Sequence, residues 1–400
     1  MTLPLIVSRS LRQHAFSTTI TGLAIALAGG LLMSVWVVKV QSQRTFTQVN
    51  TGFDAVLGAR SSKLQLVLNA IFHLEASPGN VAMADYDFIK RHPAVKLAIP
   101  IAVGDNLRGF RIVGTIPEFF RDVEYVPGKK FQLGSGRAFD PEAKEAVLGS
   151  FAAARLGLGV GDEFHPFHGL VYDEKNQHAE TYRVAGILAP SNTPADKVIW
   201  IPLHGLQTMA GHDPRAATDV SAVLIQLRSP AAGFMLDMMY NKQGNRLTFA
   251  YPIGAIMAEL FQKISWFDQV LTLVAYLVAG VSAAGVLAAI YNSMAARRRD
   301  IAILRALGAG RILLSSAIVL EAAVIGALGM VAAFGIYAVI VSGVAAVIRG
   351  QTGVLLETFT YNPVMLWAPL GMVALCALCG LLPAWKAYRT DVAENLAPVS

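Results

Sequence analysis

The segment Ala296–Gly310 reads ARRRDIAILRALGAG and lies between two long apolar runs of the chain. Within it, Ile301, Leu304 and Leu307 recur at helical spacing, and three arginines crowd its start. Its Gly-Ala-Gly ending is typical of a helix terminus, where glycine adopts the cap conformation without strain. A short, charged, amphipathic helix between two membrane spans predicts a docking element on which a partner can push.

Four apolar runs are long enough to cross a bilayer, which takes ~20 helical residues. They are Ser17–Val38, Phe267–Met294, Ile312–Ile348 and Val364–Trp385. The composition agrees, since 54% hydrophobic and 15% charged residues make the chain too apolar for an ordinary soluble protein. The sequence therefore predicts a membrane protein with four transmembrane helices.

The first apolar run has two interpretations. Arg9 and Arg12 precede it, and Ala26–Ala28 resembles the small-residue site at which signal peptides are cleaved. The run continues to Val38, however, which makes it longer than the apolar core of a typical signal peptide. We therefore interpret it as a retained transmembrane anchor.

The basic residues, which give the chain a net charge of +6, are concentrated beside the ends of the apolar runs. They lie in three short segments, at residues 9–12, 297–311 and 386–389. Because positively charged loops stay on the cytoplasmic side, both termini and the middle segment are predicted to be cytoplasmic. This topology accounts for the basic charge without nucleic-acid binding.

Residues 40–265 separate the first two apolar runs and are sufficient for one large domain. Short β-rich runs alternate there with Gly and Pro turns and with helical stretches. The pattern predicts a large α+β periplasmic domain inserted between transmembrane helices 1 and 2. The chain then divides into residues 1–39 (N-terminus and helix 1), 40–265 (this domain) and 266–400 (three transmembrane helices, with the basic helix at 296–310).

Helical stalks are expected at both ends of this domain. Apolar residues share one helical face of Ala255–Phe267, which is predicted to run without a break into the second span. Val40–Leu57 is expected to form the matching stalk after the first span. Two such helices would carry a movement of the spans to the outer domain.

Several motifs resemble those of one known family. The basic helix and the apolar run after it resemble the coupling-helix signature of MacB/FtsX-type ABC transporter permeases, and Gly380–Ala387 resembles the end of their last span. Motifs of the outer domain follow in that family's order: GTIPEFF at 114–120, GRAF at 136–139, AVLG at 146–149, VAGIL at 184–188 and DKVIWIP at 196–202. The resemblance covers nearly the whole chain.

The resemblance implies a permease of the bacterial inner membrane that works as a dimer with two ATPase subunits. In that family, ATP-driven closure of the ATPases is passed through the spans to the periplasmic side, a mechanism called mechanotransmission. This chain has no G-x-x-x-x-G-K-[ST] phosphate loop, so ATP and Mg are expected in a separate ATPase chain. We expect no cofactor and no enzymatic activity here, but a second permease copy, identical or related, and a periplasmic adaptor or substrate protein as partners.

The resemblance also implies that the basic helix contacts the ATPase. The candidate residues are Arg297, Arg298, Arg299, Asp300, Ile301, Leu304, Arg305, Leu307 and Gly308. The arginines could instead anchor the span end to anionic lipid. The amphipathic helix and the glycine stop that follow them favour docking.

Glu321 lies within the third apolar run, where a carboxylate is costly and is a candidate for intramembrane coupling. It could also lie near the inner membrane surface, or pair with Arg305 or Arg311. Family members often carry a glutamate at this place, which favours a structural or coupling role over substrate handling.

Three histidines of the outer domain, His165, His168 and His178, form a candidate transition-metal site. The competing interpretation is that histidines are frequent in this domain because it holds most of the polar surface.

Two alternative functions remain open beside ATP-driven export or extraction of a substrate. One is an FtsX-like transmembrane regulator of a periplasmic hydrolase, and the other is a metal- or metallophore-related exporter.

Overall fold

The computed structural model describes residues 3–13, 15–47, 52–211, 217–296, 310–354 and 360–389. The chain forms two compact units. The helical unit contains residues 1–41, 264–345 and 357–400, and the sheet-rich unit contains residues 42–263 and 346–356.

Four long helices dominate the helical unit. The α-helices in the described residues, taken over both units, are α1 (Leu3–Gln13), α2 (Ala15–Thr47), α3 (Lys63–Ala70), α4 (Met83–Lys90), α5 (Glu118–Asp122), α6 (Ser150–Leu156), α7 (Leu203–Gln207), α8 (Pro230–Met238), α9 (Ile253–Lys263), α10 (Ser265–Ala296), α11 (Arg311–Thr352) and α12 (Val364–Arg389). Helices α2, α10, α11 and α12 are long and apolar enough to cross a membrane. The predicted fold class is confirmed, because a sheet-rich domain follows the first of these four helices.

Glycines allow the long helices of the helical unit to pack closely. Gly30 of α2 lies against Ile336 of α11, so that an added Cβ would come within 2.7 Å of the isoleucine Cγ2. Gly329 of α11 lies against Ile25 of α2 in the same way. Lipid offers no hydrophobic driving force between helices, so close packing at small residues has to hold them together.

The sheet-rich unit is built on one large mixed sheet. The strands in the described residues are β1 (Ala55–Ala59), β2 (Val81–Ala82), β3 (Val95–Leu107), β4 (Phe110–Thr115), β5 (Glu124–Val126), β6 (Lys129–Lys130), β7 (Leu133–Gly136), β8 (Glu145–Leu148), β9 (Glu163–Phe164), β10 (Phe167–His168), β11 (Tyr182–Leu188), β12 (Ile199–Pro202), β13 (Asp219–Val220), β14 (Ala222–Leu227) and β15 (Leu247–Ala250). The large sheet has the order β15-β1-β14-β3-β4-β12-β8-β11-β7, with β10 added to β3 and β9 to β11. Only the pairs β4–β12 and β8–β11 within this described sheet are parallel.

Helices cover both faces of the central strands. On β12, Ile199 and Ile201 join a hydrophobic cluster with α4, α6, α7 and α8, whereas Trp200 joins a second cluster with α3, α5 and α9. This alternation follows from the pleat of a strand, which sends successive side chains to opposite faces. Trp200 is buried and stacks on Phe119, with 4.3 Å between the ring centroids. Burial of both faces explains why these strands are apolar at nearly every position.

The glycines of two sequence motifs, AVLG and VAGIL, mark places where two backbones touch. A Cβ added at Gly149 would overlap the carbonyl oxygens of Ala195 and Asp196, which precede β12. A Cβ at Gly186 would likewise overlap the carbonyl oxygen of Arg137. The motifs AVLG, VAGIL, GRAF and DKVIWIP are therefore parts of one packing arrangement, in which only glycine admits the neighbouring backbone.

The helical stalks are shorter than the sequence predicts. Among the described residues, α2 ends at Thr47 and residues 52–57, the last part of the predicted stalk Val40–Leu57, are not helical, since β1 begins at Ala55. β1 pairs with β14 and β15, and this non-local pairing outweighs the local helical pattern. α9 and α10 are separated at Ile264, in place of the unbroken helix expected from their shared apolar face.

We expect Gly149→Ala to destabilise the sheet-rich unit by about 1–3 kcal/mol, because the new methyl group must displace backbone atoms. Gly159→Ala is the matched control, since the nearest atom to its added Cβ is Asp162 Oδ2 at 3.7 Å. Chemical denaturation of the full chain in detergent measures both changes. Equal stability of the two variants would contradict the close approach at Gly149.

Candidate functional site

The predicted ATPase-contact residues, Arg297 to Gly308, lie outside the described residues. The structure describes the helices on either side, with α10 ending at Ala296 and α11 beginning at Arg311. The assignment of this segment to docking therefore stays a prediction. Its two neighbours in the chain are both span-length helices.

Glu321 is contacted by the N-terminal helix, which the sequence analysis did not identify. Ser10 of α1 is 3% exposed, and its hydroxyl donates a hydrogen bond to Oε1 of Glu321. The side chains of Arg305 and Arg311, the partners considered from the sequence, lie outside the described part of the chain. Glu321 thus has a hydroxyl partner from a short helix, and its role in intramembrane coupling stays a prediction.

The sequence signal for α1 was present but short. Leu3, Val7 and Leu11 recur at the i, i+4 and i+8 positions of a helix, and Val7 is buried. Arg9 and Arg12 lie on the exposed side. An amphipathic pattern over only eleven residues is easily overlooked beside the long apolar run that follows it.

The structure brings two of the three predicted metal-ligating histidines together with an aspartate. One ligand atom each from Asp105, His168 and His178 lie within 4.8 Å of one another. The distance from Asp105 Oδ1 is 3.2 Å to His178 Nε2 and 3.4 Å to His168 Nδ1. His165 is not part of this cluster, because its Nδ1 lies 3.1 Å from the carbonyl oxygen of Glu180.

Backbone pairing positions the members of this cluster. Asp105 on β3 and His168 on β10 are direct partners in an antiparallel pair, which places their side chains on the same face. The His178 amide donates to the carbonyl oxygen of Pro166 at 2.9 Å, next to β10. Asp105 was missed from the sequence because it lies on a strand 73 residues before His178, a separation that only sheet pairing closes.

The three side chains differ strongly in burial. Asp105 is 0% exposed and the His178 side chain is 5% exposed, whereas the His168 side chain is 53% exposed.

Behind the cluster, His178 Nδ1 is 2.8 Å from the carbonyl oxygen of Ala210. The amide of Ala210 in turn donates to Glu180 Oε1 at 3.0 Å. For the Glu180 carboxyl, burial acts to raise the pKa, but hydrogen bonds from the backbone amides of Ala210 and Glu180, with the charge of Lys144, outweigh it and lower the pKa.

A second group of contacts holds the end of α11 within the sheet-rich unit, and we call it the α11 anchor. It consists of Lys197, Arg349, Gln351 and Gly353 with Phe151. Lys197 Nζ donates to the carbonyl oxygen of Gln351 at 2.5 Å, and the Arg349 guanidinium lies 5.2 Å from the centroid of the Phe151 ring. Gly353 ends the helix with φ of 77° beside Lys197, where an added Cβ would come within 2.8 Å of the lysine Cβ.

A half-buried histidine, His73, interacts with the positive charges of Arg111 and of Lys197 in the anchor. Burial, reinforced by the charges of Arg111 and Lys197, lowers the pKa of His73 to about 3. Burial and the Arg111 charge also lower the pKa of Lys197. His73 is therefore neutral at physiological pH, and its ring packs edge-on against Trp200 with centroids 5.9 Å apart.

Two family profiles match the chain. The profile described as MacB-like periplasmic core domain matches residues 16–233, and the profile described as FtsX-like permease C-terminal matches residues 272–392. The chain belongs to the MacB/FtsX-type ABC transporter permeases. It is accordingly a multi-pass membrane protein and a transporter component, from a family that generally works with an ATPase partner.

Two solved structures are similar to this permease at low sequence identity. The extracellular domain of the noncanonic ABC-type transporter YknZ from Gram-positive bacteria is 16% identical, with a TM-score of 0.31, over 48% of this chain and 97% of that chain. The periplasmic region of MacB from Actinobacillus actinomycetemcomitans is 12% identical, with a TM-score of 0.35, over 54% of this chain and 94% of that chain. No curated protein matches the permease significantly.

We expect acidification to destabilise the sheet-rich unit of this permease through His73. The unfolded histidine binds a proton near pH ~6.5, whereas the folded residue resists protonation until pH falls to about 3. The free energy of unfolding should therefore decrease as pH falls through this window, by up to ~1.4 kcal/mol per pH unit. Denaturation of the full chain at several pH values measures the slope.

The matched variants for this experiment are His73→Gln and His165→Gln. The first removes the titrating ring of His73, so the stability of this variant should fall less steeply between pH 6.5 and pH 3. The second replaces an exposed histidine and should retain the wild-type slope. An unchanged slope in His73→Gln would show that other groups cause the acid sensitivity.

Proposed function

We propose that this chain is the permease subunit of an ATP-driven mechanotransmission transporter. A separate ATPase chain binds ATP and Mg at the cytoplasmic surface, and the permease transmits the resulting movement to its periplasmic domain. It does so as a homodimer or as a pair of related permeases in a bacterial inner membrane, with both termini in the cytoplasm. The outcome is export or extraction of a substrate, handled with a periplasmic adaptor or substrate protein.

The observation that carries this proposal is the length and course of α11. This helix begins at Arg311, directly after the segment assigned to docking, and continues for 42 residues to Thr352. At 1.5 Å per residue it is about 63 Å long, roughly twice the ~30 Å hydrocarbon core of a bilayer. Its last residues, from Ala346 onward, belong to the compact sheet-rich unit.

The α11 anchor supports transmission through this helix. The end of α11 is held by a lysine–carbonyl hydrogen bond, a cation–π contact and a close approach at Gly353. Thr352 and Val354 are buried there as well. A helix whose end is packed into a domain moves that domain when it moves, whereas a helix that ended in a free loop would not.

The composition of the spans also supports mechanical transmission over passage of a polar substrate between the helices. Glu321 is the only Asp, Glu, Lys or Arg of the sequence between Ile312 and Ile348, and Val364–Trp385 contains none. A polar pathway through a membrane is lined by ionisable or hydrogen-bonding side chains. The work of this permease is therefore assigned to the periplasmic side.

The FtsX-like regulator of a periplasmic hydrolase remains the alternative from a different class. The match to the MacB-like periplasmic core domain over residues 16–233 favours the transporter. A metal- or metallophore-related exporter is favoured by one specific observation, the cluster of Asp105, His168 and His178.

Purification of the tagged permease from native membranes in mild detergent tests the ATPase partnership. We expect an ABC ATPase to co-purify, and we expect Leu304→Asp and Arg305→Glu each to reduce ATP turnover of the complex at least tenfold. Leu304→Asp places a charge on the predicted apolar face of the docking segment, and Arg305→Glu reverses a charge on its polar face. Arg389→Glu is the control, because it reverses a basic residue near another span end.

Two results would contradict this assignment. One is the absence of any co-purifying ATPase after gentle crosslinking. The other is an equal loss of ATP turnover in Arg389→Glu, which would indicate a general effect of juxtamembrane charge and lipid anchoring.

Spin-label distance measurements between two permease copies test transmission through the α11 anchor. Labels at Lys175→Cys, in a Cys376→Ala/Cys379→Ala background, should change their separation when ATP binds. Lys197→Ala should reduce this change at least by half while ATP turnover continues, because it removes the hydrogen bond to α11. Lys130→Ala, on exposed β6, should retain the full change. An intact distance change in Lys197→Ala would contradict transmission through the anchor.

A further inference from the structure

We propose that Asp105, His168 and His178 bind a divalent transition metal ion, with Zn²⁺ as the ion whose bonding they fit best. The ligand atoms are Asp105 Oδ1, His168 Nδ1 and His178 Nε2. Imidazole nitrogens and a carboxylate oxygen are the ligands that Zn²⁺ takes in proteins. One carboxylate and two neutral imidazoles carry a charge of −1, which a divalent cation more than neutralises.

In the neutral form of His178, the hydrogen bond at its far side determines that Nε2 faces the cluster as an acceptor. A carbonyl oxygen can only accept, so His178 Nδ1 must donate its proton to Ala210 across 2.8 Å. In the neutral ring, Nε2 then carries a lone pair, and it points at Asp105 Oδ1 only 3.2 Å away. Two acceptor atoms at this distance repel each other unless a cation or a proton lies between them.

The two distances from the aspartate match a metal site. In a tetrahedron with metal–ligand bonds of ~2.05 Å, neighbouring ligand atoms lie about 3.3 Å apart. Asp105 Oδ1 is 3.2 Å from His178 Nε2 and 3.4 Å from His168 Nδ1. The ligand atoms of the two histidines are within 4.8 Å of each other, and the exposed His168 ring has room to adjust.

The surroundings resemble the supporting shell of a built metal site. Metal-binding histidines usually donate their second ring nitrogen to a carbonyl or carboxylate, as His178 does to Ala210. The Ala210 amide is itself held by Glu180. Asp105 and His168 are held in register by the pairing of β3 with β10. Three separate segments thus converge on one point with their backbones already positioned.

The site has an open side. A cavity of about 250 Å³ adjoins His168 and is also lined by Asn80, Gln207, Asp219 and Ser221. Structural zinc sites have four protein ligands, whereas sites that exchange a ligand keep a position open. Three protein ligands beside a polar cavity therefore indicate a site that takes up its ion from solution and can bind a further small ligand on it.

Calorimetric titration of the full permease in detergent, with a purification tag free of histidine, tests this proposal with Zn²⁺ as the probe. We expect one high-affinity Zn²⁺ per chain and no competition from Mg²⁺, a hard cation that prefers oxygen ligands. His168→Ala should weaken Zn²⁺ binding at least tenfold. This residue is exposed, so its replacement should leave folding intact, as the unfolding temperature without metal will show. His165→Ala, outside the cluster, should bind Zn²⁺ like the wild type.

Thermal unfolding in the presence of Zn²⁺ provides a second readout, because an ion that binds only the folded chain raises its unfolding temperature. The increase should be present in the wild type and His165→Ala and absent in His168→Ala and Asp105→Asn. Wild-type protein without stoichiometric Zn²⁺ binding would overturn the proposal and leave the cluster as a His–Asp hydrogen-bonded pair. Binding that persists in His168→Ala, or is lost equally in His165→Ala, would overturn it as well. Neither measurement needs the ATPase, so the result is independent of the proposed transport mechanism.

Discussion

The apolar interior of the bilayer is the constraint on which the rest of this chain depends. A spanning backbone finds no water there and must satisfy its hydrogen bonds within a helix. α11 does so for 42 residues without a proline, far beyond the length that the hydrocarbon core requires. Its excess length has to be stabilised elsewhere, and its end is packed within the sheet-rich unit. The helix is at once a membrane span and a structural element of the outer domain.

The elements that could be predicted from the sequence are those with a local signal. The four spans are long apolar runs, and the basic segment between two of them is a local cluster of charge. The order of the large sheet could not be predicted, because neighbours such as β1 and β14 are separated by most of the outer domain. The same pairing removed the helix expected up to Leu57, since a strand with partners on both sides is more stable than an isolated amphipathic turn.

The candidate metal site illustrates the same division between local and non-local information. His168 and His178 are close in the sequence and could be paired by inspection, and His165 seemed to belong with them. His165, however, lies between β9 and β10, outside the two-residue strand that holds His168, and its ring nitrogen faces the carbonyl oxygen of Glu180 instead. The aspartate that replaces it, Asp105, comes from β3 in the middle of the large sheet. No sequence motif surrounds it that would mark it as a metal ligand.

The hydrogen bond from Lys197 to α11 is made to a backbone carbonyl and not to a side chain. Residue 351 can therefore change its identity without losing the bond, as long as the helix still ends at that point. The requirement falls instead on Lys197 and on Gly353. The glycine has to adopt a left-handed backbone conformation beside the lysine. In related permeases, tolerance to substitution at this joint should be one-sided: broad at residue 351, whose side chain takes no part in the bond, and narrow at the lysine and the glycine that receive the helix.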